Sequence, residues 1–195
     1  AEELAGVGYE VAVADAVPIA QIWFAVMLGK AAGLRGRMDE SRRWYQEGAS
    51  TARLHGFRGP LSGALAGLAV AEATLGRATE AAHAIDEYRT LPPFPFFGHD
   101  HAIGIAWSQW ANGDPRGART TLLAEADLAY EGHHNGSAGW LWHDASRLGA
   151  RGLVSEQHLL ERVGDPVLLE RPGREERGDA RVRMRRGHEH TAQVR

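Results

Sequence analysis

Two His-x-His pairs, His99-Asp100-His101 and His188-Glu189-His190, come nearest to metal chemistry in this chain. On a strand that spacing would put both rings on one face, and a divalent metal would then want a third ligand nearby. Neither pair lies in a strand-like stretch. The first opens a helical stretch, where Asp100 can help to cap, so no metal is expected at either. His133-His134 precede Asn135-Gly136, a turn signal, and are read as solvated. Glu72, Glu80 and Asp86 offer carboxylates for acid–base work, but Glu80 and Asp86 fit the solvated charge faces of helices. Gly29-Lys30 has the Gly-Lys step of a phosphate loop. It is followed by Ala31 rather than Ser or Thr, and no Gly stands five residues before Gly29. There is no nucleophile elbow, HExxH pair or Ser/His/Asp order. With no Cys, cysteine catalysis, thiolate zinc sites and iron–sulfur clusters are excluded. The expectation is a protein that is not an enzyme, with no catalytic residue and no cofactor.

The elements that would have to position such residues are constrained by composition. The chain has 195 residues and 44% hydrophobic content, enough for one ordinary domain or one domain with a tail. Its longest apolar run, Val17 to Leu28, contains Pro18 and Gln21 and is too short to span a bilayer, so no membrane association is expected. The absence of Cys is compatible with a cytoplasmic protein. Net charge is −3, and the basic residues are concentrated at one end. Arg171–Arg195 holds eight Arg and four acids, a net of +4, which leaves −7 on the residues before it. Apolar periodicity stops after Leu169. Residues 165–195 are expected to be a disordered basic tail. The tail lacks interleaved aromatics and a helix-turn-helix pattern, so direct nucleic-acid binding is not expected. The opening Ala1 in place of Met suggests a piece of a longer chain.

Three segments repeat one pattern: Met27–Ser50, Leu68–Tyr88 and Ile105–Ala129. Each runs through an apolar helical stretch to a Gly, with a small residue five positions later and a larger apolar one four beyond that. The sets are Gly36/Ser41/Tyr45, Gly76/Ala81/Ile85 and Gly113/Ala118/Leu122. Eight residues before each Gly stand Leu28, Leu68 and Ile105. A Gly ending the first helix supplies a left-handed C-cap, so the chain can reverse. Asp114-Pro115 restarts the third unit as N-cap and first helical residue. The small residue lets the two helices approach, and the larger one fills their interface. Residues 10–16 read as the end of an earlier helix, and Pro18 as the start of the next. Loops are expected near Gly56–Pro60, Leu91–His99 and Gly132–Gly139. The run Pro92 to Gly98 is expected to be non-helical and, being apolar, to pack on the edge of the helical array.

This spacing resembles the tetratricopeptide repeat. The fold class expected from it is all-α, a right-handed solenoid of three to four helical hairpins. The hairpins fall at about 18–56, 60–90, 99–131 and 137–163, within a domain covering 1–164. In that register Trp23, Lys30, Val70, Trp107 and Trp110 fall at first-helix positions that line a concave groove. They would receive a protein partner or a small effector. The competing expectation is that Trp23, Trp107 and Trp110 fill space between helices. Trp44, Trp140 and Trp142 are read as packing residues.

Four stretches carry a narrower resemblance: Leu75–Tyr88, Leu91–Gly98, Ala106–Ala129 and Trp142–Ala150. About 140 residues, from Ile22 to Leu160, resemble the repeat region of large actinobacterial LuxR-type regulators of the ATP-binding, maltose-activator class. The resemblance implies a regulatory, protein-interaction role and a longer parent chain with ATPase and DNA-binding domains. It carries neither activity to these residues, which hold no phosphate loop and no helix-turn-helix. The alternatives are a free-standing repeat scaffold or chaperone-like protein and, from another class, a small helical protein using its histidines.

Overall fold

The computed structural model describes residues 2–150. Among them are eight α-helices and no strand: α1 (Glu2–Ala14), α2 (Pro18–Leu34), α3 (Met38–His55), α4 (Arg58–Thr74), α5 (Ala78–Arg89), α6 (Gly98–Ala111), α7 (Pro115–Glu131) and α8 (Asn135–Arg147). A 3-10 turn, Pro95–Phe97, precedes α6. The residues expected to form the second helix of a fourth hairpin, and the basic tail, lie outside the described residues.

Each helix packs on the next, and α2, α4, α6 and α8 also pack on one another in that order. The helix ends other than that of α5 share one construction. Ala16, Gly36, Gly56, Gly76, Gly113, His133 and Gly149 all have positive φ, from 51° to 86°. At each, the following amide bonds a carbonyl five residues earlier, as Arg37 N to Ala32 O at 2.9 Å and Arg77 N to Glu72 O at 2.8 Å. This is the Schellman closure, which satisfies helix-end carbonyls that would otherwise be orphaned. Asp114 caps α7 as its sequence implies, accepting from Gly117 N at 2.8 Å, with Pro115 as the first helical residue. Pro18 opens α2 in the same way.

The loops are shorter than expected from sequence. Helix α4 starts at Arg58 and contains Pro60 in its first turn, where a missing amide proton costs nothing. Helix α8 starts at Asn135, so the turn is made by Gly132–His134 and not by Asn135-Gly136. The Pro92–Gly98 run includes the 3-10 turn, and Gly98 already belongs to α6.

Two clusters make the core. One joins Ile22, Val26, Tyr45, Leu61, Leu65, Ile85 and Phe97; the other joins Trp107, Leu122, Leu141 and Leu148 with Ala73 and Ala81. The small residues five after the turn glycines, Ser41, Ala81 and Ala118, are buried, as are Tyr45, Ile85 and Leu122. Tyr45 lies between α2 and α4: a Cβ on Gly29 would meet its ring at 3.0 Å, and one on Gly67 would overlap it. Burial pushes the Tyr45 hydroxyl pKa up, so it stays neutral. Small residues let α4 and α6 approach closely, with Gly104 against the backbone of Ala66. The odd-numbered helices meet through longer side chains: Tyr9 against Trp44, Tyr9 to Glu47, and Arg53 paired with both carboxylate oxygens of Glu87 at 2.7 Å.

Candidate functional site

The five groove positions expected from sequence fall on the even-numbered helices, in three separate surroundings. Trp23 on α2 is half-buried. Its ring stacks on Phe97 at 5.3 Å between centroids and meets Phe96 edge-on at 5.2 Å. The apolar strip therefore does pack on the array, and it packs on Trp23. Glycines of α4 make room for it: a Cβ on Gly63 would reach the Phe97 ring at 2.5 Å, and one on Gly59 the Phe94 ring at 2.9 Å. Trp23 is thus engaged by the chain's own aromatics.

Lys30, on the same helix, is exposed. Its ammonium lies 2.8 Å from the Asp100 carboxylate of α6 and 6.0 Å from the ring centroid of Trp140 on α8. An exposed pair of this kind is worth at most about 1 kcal/mol. Its use is to hold a cation beside an aromatic face. Val70 is half-buried against the second core cluster.

Trp107 and Trp110 sit one turn apart on α6, edge to face at 5.8 Å. Trp107 is only 6% exposed, and the Arg147 guanidinium of α8 covers its ring at 4.7 Å. Its indole N–H is buried without a hydrogen-bond partner among the described residues. Trp110 is exposed beside it. Trp107 therefore fills space between helices, as the competing expectation had it, while Trp110 presents an aromatic face.

Sequence reasoning read Asp100 as a cap and missed its pairing with Lys30, as it missed Arg147 and the exposure of Trp140. A signal for Trp140 existed. It stands nine residues before Gly149, as Gly67 and Gly104 stand nine before Gly76 and Gly113. Those glycines touch neighbouring helices, so a Trp in that register reaches across to α2. Trp44 and Trp142 pack as expected, the first on Tyr9 and the second on Tyr130.

The histidines separate. His99 lies 3.4 Å from Ser137 Oγ on α8, whereas His101 turns into the core, 3.1 Å from Ser62 Oγ. Two residues apart on a helix is about 200°, so the rings point to different neighbours. No group of three or more His, Asp or Glu among the described residues is placed to hold a metal ion. The His101–Ser62 pair has the wrong polarity for an activated serine. Ser62 already donates to Gly59 O at 2.6 Å, so it accepts from His101 Nε2–H. Burial drives the His101 pKa down to about 4, which keeps the ring neutral. Glu72 is also buried, 3.6 Å from the Arg77 guanidinium, and burial raises its pKa. Glu80 is exposed, and its charge adds to that rise; Asp86 is exposed and does not join them.

A small cleft of about 220 Å³ opens between α5 and α6, lined by Ile85, Asp86, Arg89, Ile105, Ser108 and Asn112 among others. Its polar groups are already used: Arg89 pairs with Asp86 at 3.1 Å, and Asn112 donates to Ala78 O and Ser108 O. No helix among the described residues is long and apolar enough to cross a membrane. The chain matches no family model, no curated protein and no solved structure.

Proposed function

We propose that this chain is a non-enzymatic protein-interaction module, a tetratricopeptide-like solenoid whose even-numbered helices carry the binding face. The observation that carries the proposal is the pair of exposed tryptophans, Trp110 on α6 and Trp140 on α8, with Lys30 beside Trp140 and Arg147 over Trp107, the buried neighbour of Trp110. Exposed indoles with adjacent cations are the residue types that dominate binding energy at protein interfaces. In this reading the even-numbered helices line the concave side, and the close backbone approach of α4 and α6 at Ala66 and Gly104 supports it. Trp23 contributes little, because the chain's own Phe96 and Phe97 cover it.

Within that class, the resemblance to LuxR-type regulators favours the repeat segment of a longer regulator. There an occupied groove would bias the ATPase and DNA-binding parts. The genomic locus, read in all three frames, tests this. An upstream phosphate-loop ATPase with a helix-turn-helix downstream supports it. A locus with neither leaves the free-standing scaffold. The binding claim has its own test in joint replacement of Trp110 and Trp140 by Ala, which should abolish peptide binding without loss of helicity.

A further inference from the structure

Lys30 of α2 and Asp100 of α6 meet although their helices are not packing neighbours; α4 packs on both. The Lys30 ammonium lies 2.8 Å from one oxygen of the Asp100 carboxylate, with the two side chains 45% and 26% exposed. The bond is therefore made at the surface and not through the core. The other Asp100 oxygen lies 3.6 Å from His99 Nε2, and His99 Nδ1 lies 3.4 Å from Ser137 Oγ of α8. Asp100 is thus the centre of a polar line that runs from α2 to α8.

That line borders the aromatic face. Ser137 and Trp140 stand one turn apart on α8, and the Lys30 ammonium lies 6.0 Å from the Trp140 ring centroid. It also reaches over the seam between α2 and α4. Burial and, after it, the Asp100 charge push up the pKa of the Tyr45 hydroxyl, which lies in that seam.

The two seams differ in firmness. Helices α4 and α6 meet backbone to backbone at Ala66 and Gly104, whereas α2 and α4 meet across the Tyr45 ring, between Gly29 and Gly67. Helix α2 is therefore the wall that a surface bond can draw in or release. The bond itself is weak: an exposed ion pair biases an equilibrium at most about fivefold, and salt screens it.

We propose that the Lys30–Asp100 pair is a strap that draws α2 toward α6 and α8 and narrows access to the Trp140 side of the binding face, so that a partner engages as the strap opens. The proposal rests on the Trp110–Trp140 face being the binding face.

The test reads the separation of α2 and α8 directly. The chain has no Cys, so spin labels on Leu34→Cys and Ser146→Cys, both exposed positions, report one distance by pulsed electron resonance. Asp100→Asn keeps the shape of the side chain and removes its charge. It should lengthen and broaden the distance distribution. High salt should move the parent chain toward the same distribution and leave the variant unchanged. A peptide selected on the Trp110–Trp140 face should bind Asp100→Asn up to about fivefold more tightly than the parent. Identical distance distributions in parent and variant would overturn the strap, even with a lowered thermal midpoint, since the pair would then be a static brace. Equal or weaker peptide binding by the variant would overturn its gating role. The labels separate this failure from that of the binding face: an opened distance, with no peptide that depends on Trp110 and Trp140, refutes the face and not the strap.

Discussion

Gly104 of α6 lies against the backbone of Ala66 in α4, so that a Cβ added at Gly104 would stand 2.7 Å from the Ala66 carbonyl oxygen. No side chain intervenes, and only a hydrogen fits. This contact sets how closely α4 and α6 approach.

Gly104→Ala should therefore destabilise the fold even though Ala is the better helix former. The propensity gain is about 1 kcal/mol, while forcing two backbones apart costs roughly 1–3 kcal/mol or more. Gly6→Ala is the control, because nothing lies within 4 Å of its added Cβ. Urea unfolding should show a lower midpoint for the first variant and an equal or higher one for the second.

Two turns use a residue poorly suited to its conformation. Ala16 and His133 hold φ of 51° and 60°, where five other turns use Gly. Relief of left-handed strain, about 1–2 kcal/mol, exceeds the entropy cost of Gly, about 0.5–1 kcal/mol. Ala16→Gly and His133→Gly should each raise stability by about 0.5–1 kcal/mol. Gly76→Ala, at φ 76°, should lower it. Thermal midpoints of the three variants check this.

His101 should make the fold acid-sensitive. Its folded pKa is lowered from 6.5 to about 4 by burial, so the unfolded chain takes up the proton first as pH falls. Stability is full above about 6.5, declines between 6.5 and about 4, and levels off below. The loss is on the order of 3 kcal/mol at its limit. His101→Gln should show a smaller difference in urea midpoint between pH 7 and pH 4.5. An unchanged difference would place the acid sensitivity elsewhere.

Glu72 should act with the opposite sign. Burial raises its folded pKa above 4.5, against the pull of Arg42 and Arg77, so the folded state holds the proton to higher pH than the unfolded one. Its contribution is favourable at low pH and is lost as pH rises through the raised value. Glu72→Gln should stabilise the protein at pH 7 by about 1 kcal/mol, since a buried, poorly partnered carboxylate costs at least that. The gain should vanish below the ordinary carboxylate range.

Much of the helix order was legible in the sequence because a turn needing positive φ writes itself as Gly. Gly36, Gly76 and Gly113 do so, and the small residues five positions later followed. The turns at Ala16 and His133 carried no such mark. The first left α1 read as only a short helix end, and the second led the turn signal to be read two residues late, at Asn135-Gly136. The helical start of α4 through Pro60 was hidden because Pro is tolerated in a first turn yet signals a loop. Within the site, aromatic residue type was readable but partnership was not. Trp23 against Phe97 and Lys30 against Asp100 join residues some 70 positions apart, which no local periodicity encodes.

The binding face is tested most directly by panning a random-peptide phage library against the immobilised chain. Bound phage would then be counter-screened on the Trp110→Ala, Trp140→Ala double variant at matched helicity. A peptide family that binds the parent chain and loses at least about tenfold in affinity on the double variant is the expected result. No enrichment over a blank surface, or peptides that bind both proteins equally, would contradict the assignment of this face as a binding surface.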